Sequence, residues 1–355
     1  MDIEKILVER TKGIEKIIER YVPRKYDKKT LEMIAGRPRY EYNLSAPTVA
    51  ISDPVWDLLD RGGKRWRPAL FLMIIDVLGK DSKDFLEFSI IPEIIHNATL
   101  IIDDIEDQSD TRRGKECIHK IFGEDIAINA GNAIYFIPIK ALMNNRKKLS
   151  AEQIIKCYEI YTQEMINLSL GQGMDIAWHK GLANADNISE KEYLQMCAYK
   201  TGCLARMSAK IASCVAGSDD KTIEKLGILA ESIGVAFQIQ DDILNLVGEE
   251  FQKGKGIGED IHEGKRTLMV VYTLNKAGQN DKRRLLEILK MHTWDTKLIK
   301  EAIHIMNKYG AFEYSKKKAK EIVESAWKDV DILLKTGNAK DELKSFAYFL
   351  IERKI

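Results

Sequence analysis

The chain has 355 residues, enough for one large or two ordinary domains with a core that needs no disulfide or metal to hold it. Glycine and proline, 23 and 7 residues, fall well below the average usage of roughly 12%, which disfavours a turn-rich all-β fold. The 55 basic residues are balanced by 54 acidic ones, and 45% of the chain is apolar; this excludes a disordered chain and lacks the positive excess of a dedicated nucleic-acid binder.

In chain order, apolar residues recur at spacings of three and four almost everywhere, as in Leu70, Ile74, Val77 and Leu78, or in Ile154, Tyr158, Tyr161, Met165 and Leu168. Strand-type alternation is nearly absent. The pattern predicts helices over about 2–21, 68–79, 83–107, 125–145, 151–174, 190–216, 220–247, 264–277, 282–291, 296–308, 312–335 and 338–353. Arg24 to Ser52 is the least regular stretch, so residues 1–52 read as an N-terminal helical arm or cap. No repeat, low-complexity tract or Pro/Ser-rich linker interrupts the series, so a single all-α domain over 1–355 is expected.

Five cysteines, Cys117, Cys157, Cys197, Cys203 and Cys214, are an odd number without a C-x-x-C pair. Neither a disulfide framework nor a structural zinc site is suggested, and free thiols fit the cytoplasm. Met1-Asp2-Ile3-Glu4-Lys5 mixes charges where a signal peptide would be apolar, and no run approaches 18 apolar residues without a polar interruption. A soluble protein without an integral membrane segment is expected.

The chemistry begins at Leu100-Ile101-Ile102-Asp103-Asp104-Ile105-Glu106-Asp107. Residues four apart share a helix face, so Asp103 and Asp107 project side by side, with His96 seven positions before Asp103 on that face. Like charges there repel unless a cation lies between them; the alternative for one such motif alone is a solvated acidic helix end. A second motif, Phe237-Gln238-Ile239-Gln240-Asp241-Asp242-Ile243-Leu244-Asn245, repeats the design, with an aspartate pair and a further oxygen ligand four positions on. Carboxylate oxygens without histidine or thiolate suit a hard cation, and Mg²⁺ completes its octahedron with water and phosphate oxygens. Two aspartate helices therefore suggest a diphosphate held between metals, on Asp103, Asp104, Asp107, Asp241, Asp242 and Asn245. By contrast, Asp219-Asp220 before an apolar helix reads as N-capping.

Basic residues beside glycines supply the complement: Gly62-Gly63-Lys64-Arg65-Trp66-Arg67-Pro68, Arg112-Arg113-Gly114, Lys200-Thr201-Gly202, Lys253-Gly254-Lys255-Gly256 and Glu263-Gly264-Lys265. Arginine forks bind phosphate bidentately and lysine binds it as a point charge. Each cluster taken singly reads equally as solvated surface. Gly254-x-Gly256-x-Gly258 is no dinucleotide fingerprint, because no strand precedes it.

In this order the motifs, together with Gly171-Gln172-Gly173-Met174-Asp175, resemble the trans-type isoprenyl diphosphate synthases, or polyprenyl synthetases, over roughly residues 55–350. The direct Asp-Asp-x-x-Asp spacing and the Asp-Asp-x-x-Asn second motif look most like geranylgeranyl diphosphate synthases of eukaryotic and archaeal type, although Asn245 replaces the commoner aspartate and leaves open contact with metal directly or through water. The resemblance implies a single large helical bundle around a central active-site cavity, usually a homodimer. It implies three Mg²⁺ ions on Asp103, Asp107 and Asp241, drawing charge off an allylic diphosphate so that an allylic cation forms. Lys200, Lys255 and Arg112 would stabilise the departing diphosphate, with Lys265 in the last basic segment. Isopentenyl diphosphate would be held by Lys64, Arg67, His96 and Arg113, while Gln238 and Thr201 hold the allylic end. No protein general base is assigned, because the released diphosphate takes the proton.

Product length follows from helix geometry under the same resemblance. Each turn back from Asp103 descends about 5.4 Å, and one turn below lie Ala98 and Thr99, too small to stop a chain at the farnesyl stage. Ile94, Ile95, Tyr135 and Phe136 are expected to form a deeper floor, near geranylgeranyl length. Ser169, two residues before an expected turn at Gly171-Gln172-Gly173, stands where relatives often carry a bulkier histidine, which favours a longer product. Three rivals remain. A terpene cyclase has no use for Lys64, Arg67 and Arg113, and an idle partner subunit has no use for two full aspartate motifs. A di-iron bundle would use Glu93-x-x-His96 and Glu301-x-x-His304, and leaves both aspartate motifs unexplained.

Overall fold

A computed structural model describes residues 2–247 and 258–352. Helices form almost everywhere that the apolar spacing requires them, and the differences have local causes. The long helix expected at the N-terminus is broken by Gly13, which takes a left-handed φ of +88° between Ile3–Arg10 and Ile14–Tyr21. The 83–107 segment starts as a 3₁₀ helix, Ser82–Ser89, before the α-helix Ile90–Glu106. Glu124–Phe136 stops short of 145 because Pro138 lacks an N–H and clashes with the preceding turn; a 3₁₀ turn and Lys140–Asn144 follow. The irregular stretch 24–52 contains the helix Lys28–Ala35 and a π turn at Thr48–Ser52.

Downstream, Ala151–His179 runs unbroken through Gly171 and Gly173, so the expected turn there does not form. The 190–216 helix is three pieces: Glu190–Cys197, opened by a capping box between Ser189 and Glu192; a π turn, Ala198–Gly202; and Cys203–Val215. Asp220–Val247 and Thr296–Lys308 form as the spacing predicts. Asp219 Oδ1 accepts from the Thr222 N–H at 2.8 Å, the capping role read for it. Among the described residues the only sheet is a two-residue antiparallel pair, Thr111–Arg112 with Lys115–Glu116.

The described residues gather into two compact units, those within 1–160 and 208–223, and those within 161–207 and 224–355. In the first unit, Ile90–Glu106 lies along Glu124–Phe136, approaching closely at Gly131, where a Cβ would stand 2.8 Å from the Ile102 Cδ1. Trp66–Val77 is apolar on all sides and therefore buried nearly throughout. In the second unit, Leu268–Lys276 packs between Ala311–Asp331 and Glu190–Cys197.

Two stretches among the described residues, Ser82–Glu106 and Glu124–Asn144, are long and apolar enough to cross a membrane, which the uninterrupted-run criterion had passed over. Of their apolar windows, 61% and 44% respectively are buried inside the protein; the first is mostly covered, as a core helix is, and the second is not. Length and composition alone make this weak evidence for a span.

Candidate active site

In the first unit, the acidic motif closes the Ile90–Glu106 helix, with Asp107 as its C-cap. Carboxylates at that end oppose the negative pole of the helix dipole and call for positive charge. The fully buried Asp104 receives it from protein: Arg112 Nε donates to its Oδ1 at 2.8 Å. Asp104 is thus turned away from Asp103 and Asp107, which are half-exposed, and Arg112 is already engaged. The expectation of Asp104 as a metal ligand gives way to a structural ion pair.

Arg112 and Arg113 sit on a tight hairpin in which Arg113 and Gly114 both have positive φ, +51° and +76°. Such a turn favours Asn-Gly, so an arginine held there is strained, a condition that clusters at functional sites. The Arg113 Nη1 donates to the Leu58 carbonyl at 3.2 Å, and its Nη2 lies 3.2 Å from where a Cβ on Gly63 would be. Glycine at 63 is therefore what lets the two basic segments meet. Arg65, also at positive φ, pairs with the buried Glu93 at 3.2 Å and with Glu15 at 2.9 Å. Arg67 is buried, its guanidinium 4.4 Å from the Trp66 ring centre, while Lys64 is exposed.

His96 is half-buried, and its pKa is pushed well below the ordinary imidazole value, first by burial and then by Arg67, Arg113 and Arg112. It is neutral near pH 7 and offers one N–H beside three guanidiniums.

In the second unit, Lys200 and Thr201 lie in the π turn, a distortion frequent at functional sites. Lys200 Nζ bonds Asp175 Oδ2 at 2.5 Å; burial raises the Asp175 pKa, but Lys200 and Lys265 outweigh it and the net shift is downward. Gly171 makes this possible, because a Cβ there would come within 2.3 Å of the Lys200 backbone nitrogen. Thr201 Oγ1 donates to Gln238 Oε1 at 2.8 Å, and Gln238 Nε2 donates to Asp242 Oδ1 at 2.7 Å.

Asp241 is exposed while Asp242 is buried. The Asp242 pKa is raised to about 7 by burial and by the neighbouring Asp241 charge. Asn245 Oδ1 accepts from the Asp260 N–H at 3.2 Å and so holds the short helix Glu259–His262. Asp260 is itself buried, with an unpartnered Oδ2, and burial together with Asp242, Glu263 and Asp241 raises its pKa well above the usual range, against Lys265 at 3.6 Å. Carboxylates crowded in this way near the end of Asp220–Val247 fit a hard cation, although among the described residues no three His, Cys, Asp or Glu side chains form a closed metal cage. Lys255 lies outside the described residues.

Of the residues expected to limit chain length, Ile94, Ile95 and Ala98 are fully buried, and Thr99 and Tyr135 half-buried. Two are corrected. Phe136 is 66% exposed at the end of its helix, and Ser169 is exposed on an unbroken helix, its hydroxyl donating to the Met165 carbonyl at 3.1 Å. Neither lines an interior wall within this chain. The di-iron alternative also fails locally: Glu301 is held by both arms of Arg284, at 2.7 and 2.8 Å, and Glu93 by Arg65 and Asn97.

Sequence reasoning missed Asp260, Asp175 and Tyr193. Asp175 was visible as the acidic end of the Gly171–Gly173 segment, and Tyr193 as an aromatic seven residues before Lys200 in the sequence. Asp260 carried no signal, because its burial depends on the cap that Asn245 provides.

The polyprenyl synthetase family model matches residues 48–306. A short chain isoprenyl diphosphate synthase of Methanothermobacter thermautotrophicus is 34% identical over 84% of this chain and 88% of its own. A geranylgeranyl diphosphate synthase of Saccharolobus solfataricus is 32% identical over 86% and 90%. Among solved structures, the geranylgeranyl pyrophosphate synthetase of Pyrococcus horikoshii superposes with a TM-score of 0.83 at 29% identity, covering all of both chains. The chain belongs to the polyprenyl synthetase family. Within it, the protein is an enzyme of the trans-isoprenyl diphosphate synthase class, a prenyltransferase.

Proposed function

We propose that this enzyme condenses isopentenyl diphosphate with an allylic diphosphate to give all-trans geranylgeranyl diphosphate or a somewhat longer product. The observation that carries this reading is the meeting of the Arg113 guanidinium with Gly63 of the Lys64–Arg67 segment, with His96, on the helix that ends in Asp103 and Asp107, held neutral by burial and by the charges of Arg67, Arg113 and Arg112. Such a set suits a multiply charged anion placed beside a metal-binding helix end. In this reading Lys64, Arg67 and Arg113 take the diphosphate of isopentenyl diphosphate, and His96 donates one hydrogen bond to it. Lys200, Lys255 and Lys265 meet the allylic diphosphate, while Thr201 and Gln238 orient it.

Asp103, Asp107 and Asp241 are the proposed holders of divalent metal, three Mg²⁺ ions by the family pattern. When bound, the metal supplies the positive charge that draws electron density off the departing diphosphate. Burial, and then the neighbouring carboxylates, raise the pKa values of Asp242 and Asp260, and the acidic charge gathered beside the exposed Asp241 supports a cation at Asp241. The five cysteines are free and buried, which supports a reducing compartment, the cytoplasm. A homodimer is supported by the exposed apolar side chains Ile128, Phe136 and Met143 along 124–144.

The test is incubation with Mg²⁺, farnesyl diphosphate and labelled isopentenyl diphosphate. Elongated diphosphates are expected; a cyclised hydrocarbon, or no product, would overturn the reading.

A further inference from the structure

Tyr193 belongs to neither substrate set. It lies on Glu190–Cys197 and is 1% exposed, among the largest fully buried side chains. A buried tyrosine hydroxyl needs a partner, and this one donates to Asp242 Oδ2 at 2.9 Å. Asp242 Oδ1 is occupied from the other side by Gln238 Nε2 at 2.7 Å. Both carboxylate oxygens are thus clamped, one by each neighbour. With its NH₂ committed to Asp242, Gln238 must turn its carbonyl to Thr201, as the 2.8 Å bond from Thr201 Oγ1 shows. One further N–H of Gln238 remains for a ligand, three residues from the exposed Asp241 and on the same helix face.

We propose that Tyr193 is a positioning residue for the allylic half of the site: it fixes Asp242, through Asp242 the amide of Gln238, and so the direction in which Gln238 and Asp241 present themselves to the allylic diphosphate and its metal. This rests on the function proposed above. Without the tyrosine hydroxyl, Asp242 keeps one anchor of two, and the Gln238 amide is free to rotate away from Thr201.

Tyr193→Phe keeps the ring and removes only the donor. Titration calorimetry of the full chain with Mg²⁺ and the unreactive analogue farnesyl thiolodiphosphate should show affinity falling about tenfold, the loss of one hydrogen bond to a charged acceptor. The KM for farnesyl diphosphate should rise by a similar factor while that for isopentenyl diphosphate stays within about twofold. Gln238→Met should give a comparable loss, and the double variant little more than either, because both act through one chain of bonds. Unchanged analogue binding despite a lower Tm, an equal rise in both KM values, or additive losses in the double variant would each overturn the assignment. The unmutated protein, run alongside, must elongate farnesyl diphosphate; its failure to do so would count against the proposed reaction and not against Tyr193.

Discussion

Asp103 and Asp241 are exposed enough to meet a ligand, whereas their neighbours Asp104 and Asp242 are buried against protein donors. Each Asp-Asp pair therefore divides: one carboxylate is held inside by protein donors and the other lies toward solvent. Truncating the more exposed one removes the oxygens proposed to meet the metal while leaving the buried anchor in place. Asp103→Ala and Asp241→Ala are accordingly expected to lower turnover by at least about a thousandfold, several kcal/mol of lost charge stabilisation. A radiometric elongation assay, with a thermal melt to show that each variant is folded, checks this, and near-normal turnover in either variant would remove the metal proposal. Lys64 is exposed, so Lys64→Ala should raise the KM for isopentenyl diphosphate about tenfold at little cost in stability. Arg67→Ala should raise it too but also lower the Tm, because this buried guanidinium packs on Trp66. Equal effects on the allylic substrate would refute the division into two anion sites.

The elements were legible wherever apolar spacing alone decides them, as in Asp220–Val247 and Thr296–Lys308. They were not legible where backbone approach decides. Gly171 reads as a turn signal, yet it is helical, because its missing Cβ admits the Lys200 turn of a neighbouring helix. The π turn at Ala198–Gly202 has no signature in periodicity. The acidic and basic motifs were legible because they are contiguous in sequence; the Asn245–Asp260 cap and the Asp104–Arg112 pair were not, since burial assigns those roles. Two glycines make the point testable. Gly171→Ala drives a Cβ into backbone at 2.3 Å, and Gly131→Ala drives one at 2.8 Å into the tip of Ile102, a side chain that can rotate. Overpacking costs typically about 1–3 kcal/mol, and Gly171→Ala is expected at or above the top of that range and Gly131→Ala at the bottom. Denaturant unfolding gives the order; the reverse would mean that backbone approach does not govern these helices. Gly171→Ala should also displace Lys200 and raise the KM for the allylic diphosphate.

At the scale of the whole molecule, Phe136 and its exposed neighbours on 124–144 are apolar surface that one chain leaves in water. A second copy is the proposed cover, and sedimentation showing only a 40.5 kDa species at micromolar concentration would count against it. Product length is a property of the same region. A tail leaving the diphosphate beside Asp103 is proposed to follow the Ile90–Glu106 helix, past Ala98 and Thr99 toward the buried Ile94 and Ile95. Ala98 is fully buried, and its carbonyl lies 3.6 Å from where a Cβ on Gly131 would be, so the facing helix leaves little slack at that level. A phenylalanine there has no solvent to escape into and must occupy the proposed path about 7.5 Å, or somewhat over one turn, back along the helix from Asp103. Ala98→Phe is therefore expected to shift the product from geranylgeranyl length or longer toward farnesyl diphosphate, with turnover of geranyl diphosphate retained. Chromatography of the dephosphorylated products reads the distribution directly. An unchanged length in a variant that still folds and turns over would place the tail along a different helix.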